Sequence, residues 1–313
     1  MNAATERKVV LVTRRTRLQE LVEKYHTLAQ VRFYLEHLGA DLSDYLREDA
    51  AYAASLRQAQ AALRQWGRHQ VIARAHLPNF LFAADDIVLA LGQDGLVANT
   101  MKYLDGQPLV GLNPEPARWD GLLLPFGTED LAPLLKDIAL GRRPEKTVTM
   151  AEARLSDGQT LRAVNELFIG PRTHASALYE IEIGARCEQQ SSSGIIVSTG
   201  LGSTAWLKSM VTGSQAMTQA GARDRATPAP SYEALPWDAC HLVYAVREPF
   251  PSRSSQAGLV YGHVHREQPL KLRSRMPENG VIFSDGMEDD FLRFTAGVEA
   301  TVGIAPVQGR LVC

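Results

Sequence analysis

The apolar run Ile87-Val-Leu-Ala-Leu91 stops at Gly92-Gln-Asp-Gly95 and gives way to Leu96-Val-Ala-Asn-Thr100. An apolar run without alternation reads as a parallel strand buried on both faces. The glycine pair predicts a tight loop after it, then a helix from Val97 to Leu104. Strand, loop and helix start gather backbone N–H groups at one point, which suits a phosphate. Gly92 and Gly95 let phosphate approach the backbone where a side chain would stand in the way. Asp94 repels phosphate, so it fits there as a group that orients a magnesium ion or takes a proton from an attacking hydroxyl. Asp-Gly also marks ordinary turns, and on these residues alone both readings stand. In an open α/β sheet, function gathers at the carboxyl ends of strands, which favours a site.

The chain's 313 residues allow one large or two modest domains with a sizeable core. Apolar content of 45% and charged content of 22% are those of a globular protein. A net charge of −2 gives no electrostatic case for nucleic acid or for an anionic membrane as partner. Cys187, Cys240 and Cys313 are too scattered for a disulfide framework or a zinc site, so a reducing, cytoplasmic setting is expected. The N-terminal residues lead into the short strand Val9 to Val12 rather than a secretory apolar region. No apolar run reaches membrane-spanning length.

Helical spacing of Leu18, Leu21, Val22, Tyr25, Leu28 and Leu35 predicts one helix ending at Gly39, and a second runs from Tyr45 to Trp66. Val71 to Ala75, Leu109 to Leu112 and Leu122 to Leu124 read as further strands. Thr128 is set to cap a helix with Glu129 and Asp130 in its first turn. This alternation predicts an α/β, doubly wound parallel sheet over 1–143. From 144 to 313 the texture is β-rich: a hairpin at Ser156-Asp-Gly158, strands at Leu178–Ile183, Ile195–Val197, Leu242–Val246, Leu259–His265, Leu270–Leu272 and Val298–Ile304, and one helix from Ser203 to Ala220. Ala222 to Trp237 reads as a surface loop, and the docking of the strand-like run before Cys313 stays open.

Three further stretches extend the first. Asn165-Glu166 leads the strand-like run to Gly170, and Ser191-Ser-Ser-Gly-Ile-Ile-Val-Ser-Thr-Gly-Leu-Gly-Ser-Thr-Ala-Trp206 repeats the pattern of strand, glycine-hydroxyl loop and helix start. Phe283-Ser-Asp-Gly-Met287 precedes the C-terminal segment. A Gly-x-Asp-Gly loop, Asn-Glu, Gly-Ser-Thr-Ala-aromatic and Asp-Gly, in this order, resemble the NAD kinases, with closer likeness to the mitochondrial-type branch. The resemblance covers nearly the whole chain. It implies a Rossmann-like N-terminal domain and a β-rich C-terminal domain. It also implies transfer of a phosphoryl group from ATP to the 2′-hydroxyl of the adenosine ribose of NAD, with a divalent metal, Mg2+ first among candidates.

By the same resemblance, Asp94 accepts the proton or orients the hydroxyl, and Gly92 and Gly95 shape its loop. Asn165 and Glu166 contact the dinucleotide. Gly202, Ser203, Thr204, Ala205 and Trp206 form the stretch at its adenosine end. No residue is assigned as a dedicated metal ligand, and a homodimer or larger assembly is implied. Against the family pattern, Gln93 and Leu96 stand for Gly and Thr, Leu201 loses a hydroxyl, Ser193 stands where many members have an acid, and Met287 replaces a glutamine.

Plainer readings stay open. Asn165 and Glu166 can be a strand-end turn, Ser203 a helix N-cap, and Trp206 a core aromatic. Arg14, Arg15 and Arg17 suit a polyphosphate or a solvated loop equally. His263 and His265 share a strand face without an evident third ligand. Glu288-Asp-Asp290 reads most simply as an exposed acidic turn, with magnesium recruitment a lesser option. Two other functions remain: a dinucleotide-binding regulator that lost the chemistry, for which Gln93 and Leu96 argue, and a lipid or diacylglycerol kinase sharing the Gly-Gly-Asp-Gly loop.

Overall fold

The computed structural model describes residues 7–118, 120–221 and 232–313. Most of the expected surface loop, at 222–231, lies outside the described residues. The chain divides into two compact units, Met1–Lys146 with Arg310–Cys313, and Thr147–Gly309. Among the described residues, no helix is long and apolar enough to cross a membrane.

The first unit runs β1 (Val9–Thr13), α1 (Arg17–Tyr25), α2 (Leu28–His37), α3 (Leu42–Trp66), β2 (His69–Ala73), β3 (Ile87–Leu91), α4 (Asp94–Met101), β4 (Pro108–Leu112) and α5 (Leu131–Ala139). Every residue of β3 and β4 is buried, as unbroken apolar runs require in a sheet covered on both faces. Tyr52, Ala59 and Leu63 of α3 and Leu131, Leu134 and Leu135 of α5 close one core with Leu11, Leu89 and Val110. The Rossmann-like expectation holds here.

Several boundaries differ from the sequence reading. The first helical stretch is two helices, because His26 takes a left-handed turn (φ 67°) and Thr27 starts α2 by accepting the Gln30 N–H. The α5 helix begins at Leu131 with Asp130 at its cap position, while the Thr128 hydroxyl instead donates to Gln58 Oε1 at 2.7 Å. Leu122 to Leu124 is no strand but a turn closed by Leu124 N–H on Gly121 O.

The arginines after β1 are committed inside their own unit. Arg14 meets Glu48 at 2.9 Å, Arg17 meets Glu48 at 2.5 Å and Asp44 at 2.9 Å, and Arg15 pairs with Glu23. Burial pushes the Glu48 carboxyl up, but hydrogen bonds from Arg14 and Arg17 outweigh it and hold it below its usual range. Arg14 and Arg17 are thus ion-paired within the unit rather than free in a solvated loop, and the Arg14 side chain lies against Gly92. Removing Glu48, whose side chain is 3% exposed, would leave Arg14 charged and half-buried without its acid. Glu48→Ala should therefore cost roughly 3 kcal/mol, read as an earlier urea unfolding midpoint.

β5 (Glu145–Val148) leads into the second unit: β6 (Ala151–Leu155), β7 (Thr160–Ala163), β8 (Glu166–Pro171), β9 (Ala177–Ile183), β10 (Arg186–Ser192), β11 (Ile195–Ser198), α6 (Trp206–Gly221), β12 (His241–Val246), β13 (Tyr261–His265), β14 (Leu270–Ser274), β15 (Gly280–Ser284), β16 (Met287–Arg293) and β17 (Glu299–Ile304). They form two six-stranded sheets, ordered β10-β9-β14-β17-β6-β7 and β13-β12-β11-β8-β15-β16. Their inner faces share one apolar core, with Tyr179, Ile181 and Leu272 from one sheet and Leu167, Val197 and Ile282 from the other. On the outer face of the second sheet, α6 packs Leu207 against Val243 and Ala245. Glu288-Asp-Asp290 lies within β16 rather than in a turn.

The last strand, β18 (Gly309–Val312), joins the first unit's sheet, ordered β2-β1-β3-β4-β18-β5 and parallel from β2 to β18.

Candidate functional site

In the first unit, the loop after β3 is shorter than the sequence suggests. The helix starts at Asp94, three residues before Val97, so Asp94 stands in its first turn, where a carboxylate suits the helix N-terminus. Gln93 occupies the cap position without a side-chain hydrogen bond. Asp94 Oδ1 accepts the Leu123 N–H at 2.8 Å, which fixes the carboxylate at the carboxyl end of β3.

The two glycines of this loop serve different needs. A Cβ on Gly92 would sit 3.0 Å from Leu96 Cδ2 and 3.2 Å from Arg14 Cδ, so Gly92 is small because the core presses on it. Gly95 is exposed, and nothing lies within 4 Å of where its Cβ would be. Open backbone at the start of α4 is the feature an anion needs. Leu96 is buried and packs inward, which explains how the loop tolerates the loss of a hydroxyl there.

In the second unit, Asn165 precedes β8 and Glu166 opens it, and the turn after β11 packs directly on Asn165. Thr199 N–H donates to Asn165 O at 2.9 Å, and the Thr199 hydroxyl lies 2.5 Å from Val164 O and 3.1 Å from Asn165 O. Gly202 N–H donates to Thr199 Oγ1 at 3.1 Å. A Cβ on Gly202 would lie 2.0 Å from Asn165 O, so only glycine permits this contact. Leu201 to Thr204 form a short 3-10 turn, and the α6 helix starts only at Trp206, so Ser203 is not its N-cap. The Ser203 hydroxyl is spent inside the turn, donating to Gly200 O at 2.7 Å and accepting Leu235 N–H at 2.9 Å. Thr204, Ala205 and Trp206 are exposed.

Trp206 is not a core aromatic. Its ring lies 5.7 Å from that of Phe168, nearly parallel at 14°, and the Arg247 guanidinium stands 5.2 Å from its centroid. Phe168 pairs across strands with Phe283, and Phe283 with Phe291, making an aromatic row over β8, β15 and β16. Phe168 crosses a bed of small residues, since a Cβ on Gly170 or Gly194 would strike its ring. The sequence reading missed Phe168 and Arg247 as parts of this corner; Phe168 lies within the run from Asn165 to Gly170.

Glu166 is the perturbed acid of the corner. Burial, with the nearby Asp285 charge added, pushes its carboxyl up to about 7, and its Oε2 is buried without a hydrogen-bond partner. The folded chain therefore holds this proton more tightly than the unfolded chain, whose Glu166 ionises near 4.5. Below that pH both states are protonated and nothing is lost; stability falls as pH rises from there towards 7 and stays lower above it. Glu166→Gln should melt with wild type near pH 4 and melt higher at pH 8, by roughly 7–14 °C in calorimetry.

His241 adds a third imidazole to the pair on β13, with ring centroids 4.8 Å from His263 and 5.7 Å from His265. Burial and the two neighbouring rings lower the His241 pKa. Even so, among the described residues no group of three or more His, Cys, Asp or Glu side chains is arranged to hold a metal ion.

No protein-family model matches the chain. Over 130 residues it is 32% identical to an NAD kinase of Methylococcus capsulatus (strain Bath), a match that takes in 39% of this chain and 43% of that protein. The match thus spans less than half the length of this curated relative. In fold, the chain is similar over 98% of its length to an NAD kinase from Archaeoglobus fulgidus in complex with ATP, with 93% of that chain covered, a TM-score of 0.54 and 17% identity. It is similar over the same share to yeast NADH kinase complexed with NADH, with 83% of that chain covered, a TM-score of 0.56 and 13% identity. The two-domain fold is that of these kinases. The chain is thus similar to an NAD kinase in sequence over 130 residues, and to an NAD kinase and an NADH kinase in fold over nearly its whole length.

Proposed function

We propose that the protein is an NAD kinase, moving the terminal phosphoryl group of ATP to the 2′-hydroxyl of the adenosine ribose of NAD. The observation that carries this is Asp94: a carboxylate in the first turn of a helix, at the carboxyl end of a buried parallel strand, held by Leu123 N–H beside the open backbone of Gly95. A ribose hydroxyl is a poor nucleophile, and a carboxylate against it can take its proton as the new bond forms. The bond between the 2′-oxygen and the γ-phosphorus forms, the bond from that phosphorus to the β-bridging oxygen breaks, ADP leaves, and the proton goes to Asp94. Asn165 and Glu166 are proposed to hold the dinucleotide, with Thr204, Ala205 and Trp206 at its adenosine end and the small residues Gly202 and Ser203 shaping that turn.

A divalent ion fits this donor set. Mg2+ in nucleotide sites is held by one or two carboxylates, water and substrate phosphates rather than by a protein cage, and Asp94 supplies one such carboxylate. When bound, Mg2+ spreads the charge of the polyphosphate. A homodimer, a cytoplasmic setting and the nearer likeness to the mitochondrial-type branch belong to the same proposal.

A second reading has its own observation. Gln93 brings a side chain to the loop, and Leu96 is turned into the core, so the pocket of a regulator without turnover is the alternative. Incubation with NAD, ATP and Mg2+, read with an NADP-specific dehydrogenase, separates the two: sustained NADP formation is expected, and its absence with every nucleotide donor would favour the regulator.

A further inference from the structure

Of the four stretches singled out in the sequence, Asp285-Gly286 alone has no part in the proposed reaction. Asp285 and Gly286 both take left-handed backbone, at φ 53° and 69°, in the turn from β15 to β16. That turn brings the Asp285 carboxylate against the N–H groups of Val164 at 3.0 Å, Asn165 at 2.7 Å and Glu166 at 3.3 Å. In return, Asp285 N–H donates to Glu166 O at 3.1 Å. Successive N–H groups converging on one carboxylate make charge-assisted bonds, the strong kind. The backbone of the Asn165–Glu166 pair is thereby tied to a residue about 120 positions away in the chain.

The same charge acts on the Glu166 side chain. Its Oε2 is buried without a partner, and Asp285 is the charged group acting on it. The strand positions beside Glu166 carry neutral groups, Ser198 on β11 and Ser284 next to Leu167 on β15. Two carboxylates sharing a partly dry corner do not both ionise easily.

We propose that Asp285 is a positioning residue for the dinucleotide corner: it fixes the Asn165–Glu166 turn and, set beside the buried Glu166 carboxyl, favours the form in which Glu166 donates a hydrogen bond to a ribose hydroxyl oxygen. The ligand part of this rests on the function proposed above; the effect of Asp285 on Glu166 does not. Binding of the dinucleotide is then controlled by one proton near neutrality.

Carbon-13 NMR titration of the Glu166 carboxyl in the full ligand-free chain, with NAD affinity by calorimetry at pH 6 and pH 8.5, tests both parts. The wild-type carboxyl should titrate near 7 and bind NAD several-fold more weakly at the higher pH. Asp285→Asn should move the titration down by about one unit, weaken NAD binding by about tenfold at pH 6 and flatten its pH dependence. An unmoved titration in Asp285→Asn, or a wild-type affinity independent of pH, would overturn the proposal. If the titration moves as expected while NAD binds at neither pH, the positioning role stands and the dinucleotide reading falls. Should Asp285→Asn not fold, Glu166→Gln must bind NAD without the pH dependence, and a profile like wild type would equally overturn it.

Discussion

Asp94→Asn is expected to lower NADP formation by about 10²–10⁴-fold while leaving NAD affinity within about a factor of two. The replacement keeps the shape, and the Asn carbonyl oxygen can still accept the Leu123 N–H that Asp94 accepts at 2.8 Å. What it removes is the negative charge and the basic oxygen. Removing a group that acts only as the proton moves lowers turnover without loosening the ground state. The proposed dinucleotide contacts belong to β8 and to the turn before α6, and the substitution leaves their hydrogen bonds in place. Equal losses in turnover and affinity would instead make Asp94 a binding residue. Steady-state kinetics with calorimetric NAD titration on both proteins separates the outcomes.

Gly202→Ala should be nearly as damaging, by another route. The added Cβ would stand 2.0 Å from Asn165 O and 2.5 Å from its carbonyl carbon, so backbone must move. Either the Leu201–Thr204 turn lifts, stretching the bond from Gly202 N–H to Thr199 Oγ1, or the Asn165 peptide retreats from the Asp285 carboxylate. Overpacking of this kind costs about 1–3 kcal/mol, or roughly 3–10 °C in melting temperature for a unit of this size. NAD affinity should fall by more than tenfold, because both movements displace Asn165 and Glu166. Gly95→Ala is the control: with open space around that position, the fold should keep its melting temperature.

The parallel strands were legible because a sheet covered on both faces demands unbroken apolar runs, and β1, β3 and β4 have them. The long helix α3 was legible from its spacing and its terminal Gly67, which takes φ 115°. Local backbone choices were not. Nothing in the sequence marks His26 as left-handed, and the Thr27-x-x-Gln30 cap signal lay inside an unbroken apolar spacing, so the break between α1 and α2 went unread; Gln93 gives no capping signal, which hid the start of α4.

Long-range pairings were hidden for a different reason. Asp285 finds its partners some 120 residues upstream, and His241 meets His263 and His265 only because β12 lies beside β13. An acidic run looks like a turn until it is seen in β16. Arg14 and Arg17 looked free to meet a polyphosphate because Asp44 and Glu48 lie on α3, some thirty residues away in sequence. Motif order carried the site reading further than any single residue could, since each stretch alone has an ordinary structural explanation.

The most direct test of the central claim is to measure NADP formation and NAD binding on one preparation of the wild-type protein, with ATP and Mg2+ present. Sustained NADP formation together with saturable NAD binding is the result this account predicts. Saturable binding with no NADP from ATP or any other phosphoryl donor would contradict it, and would leave Asp94 in a pocket without a reaction.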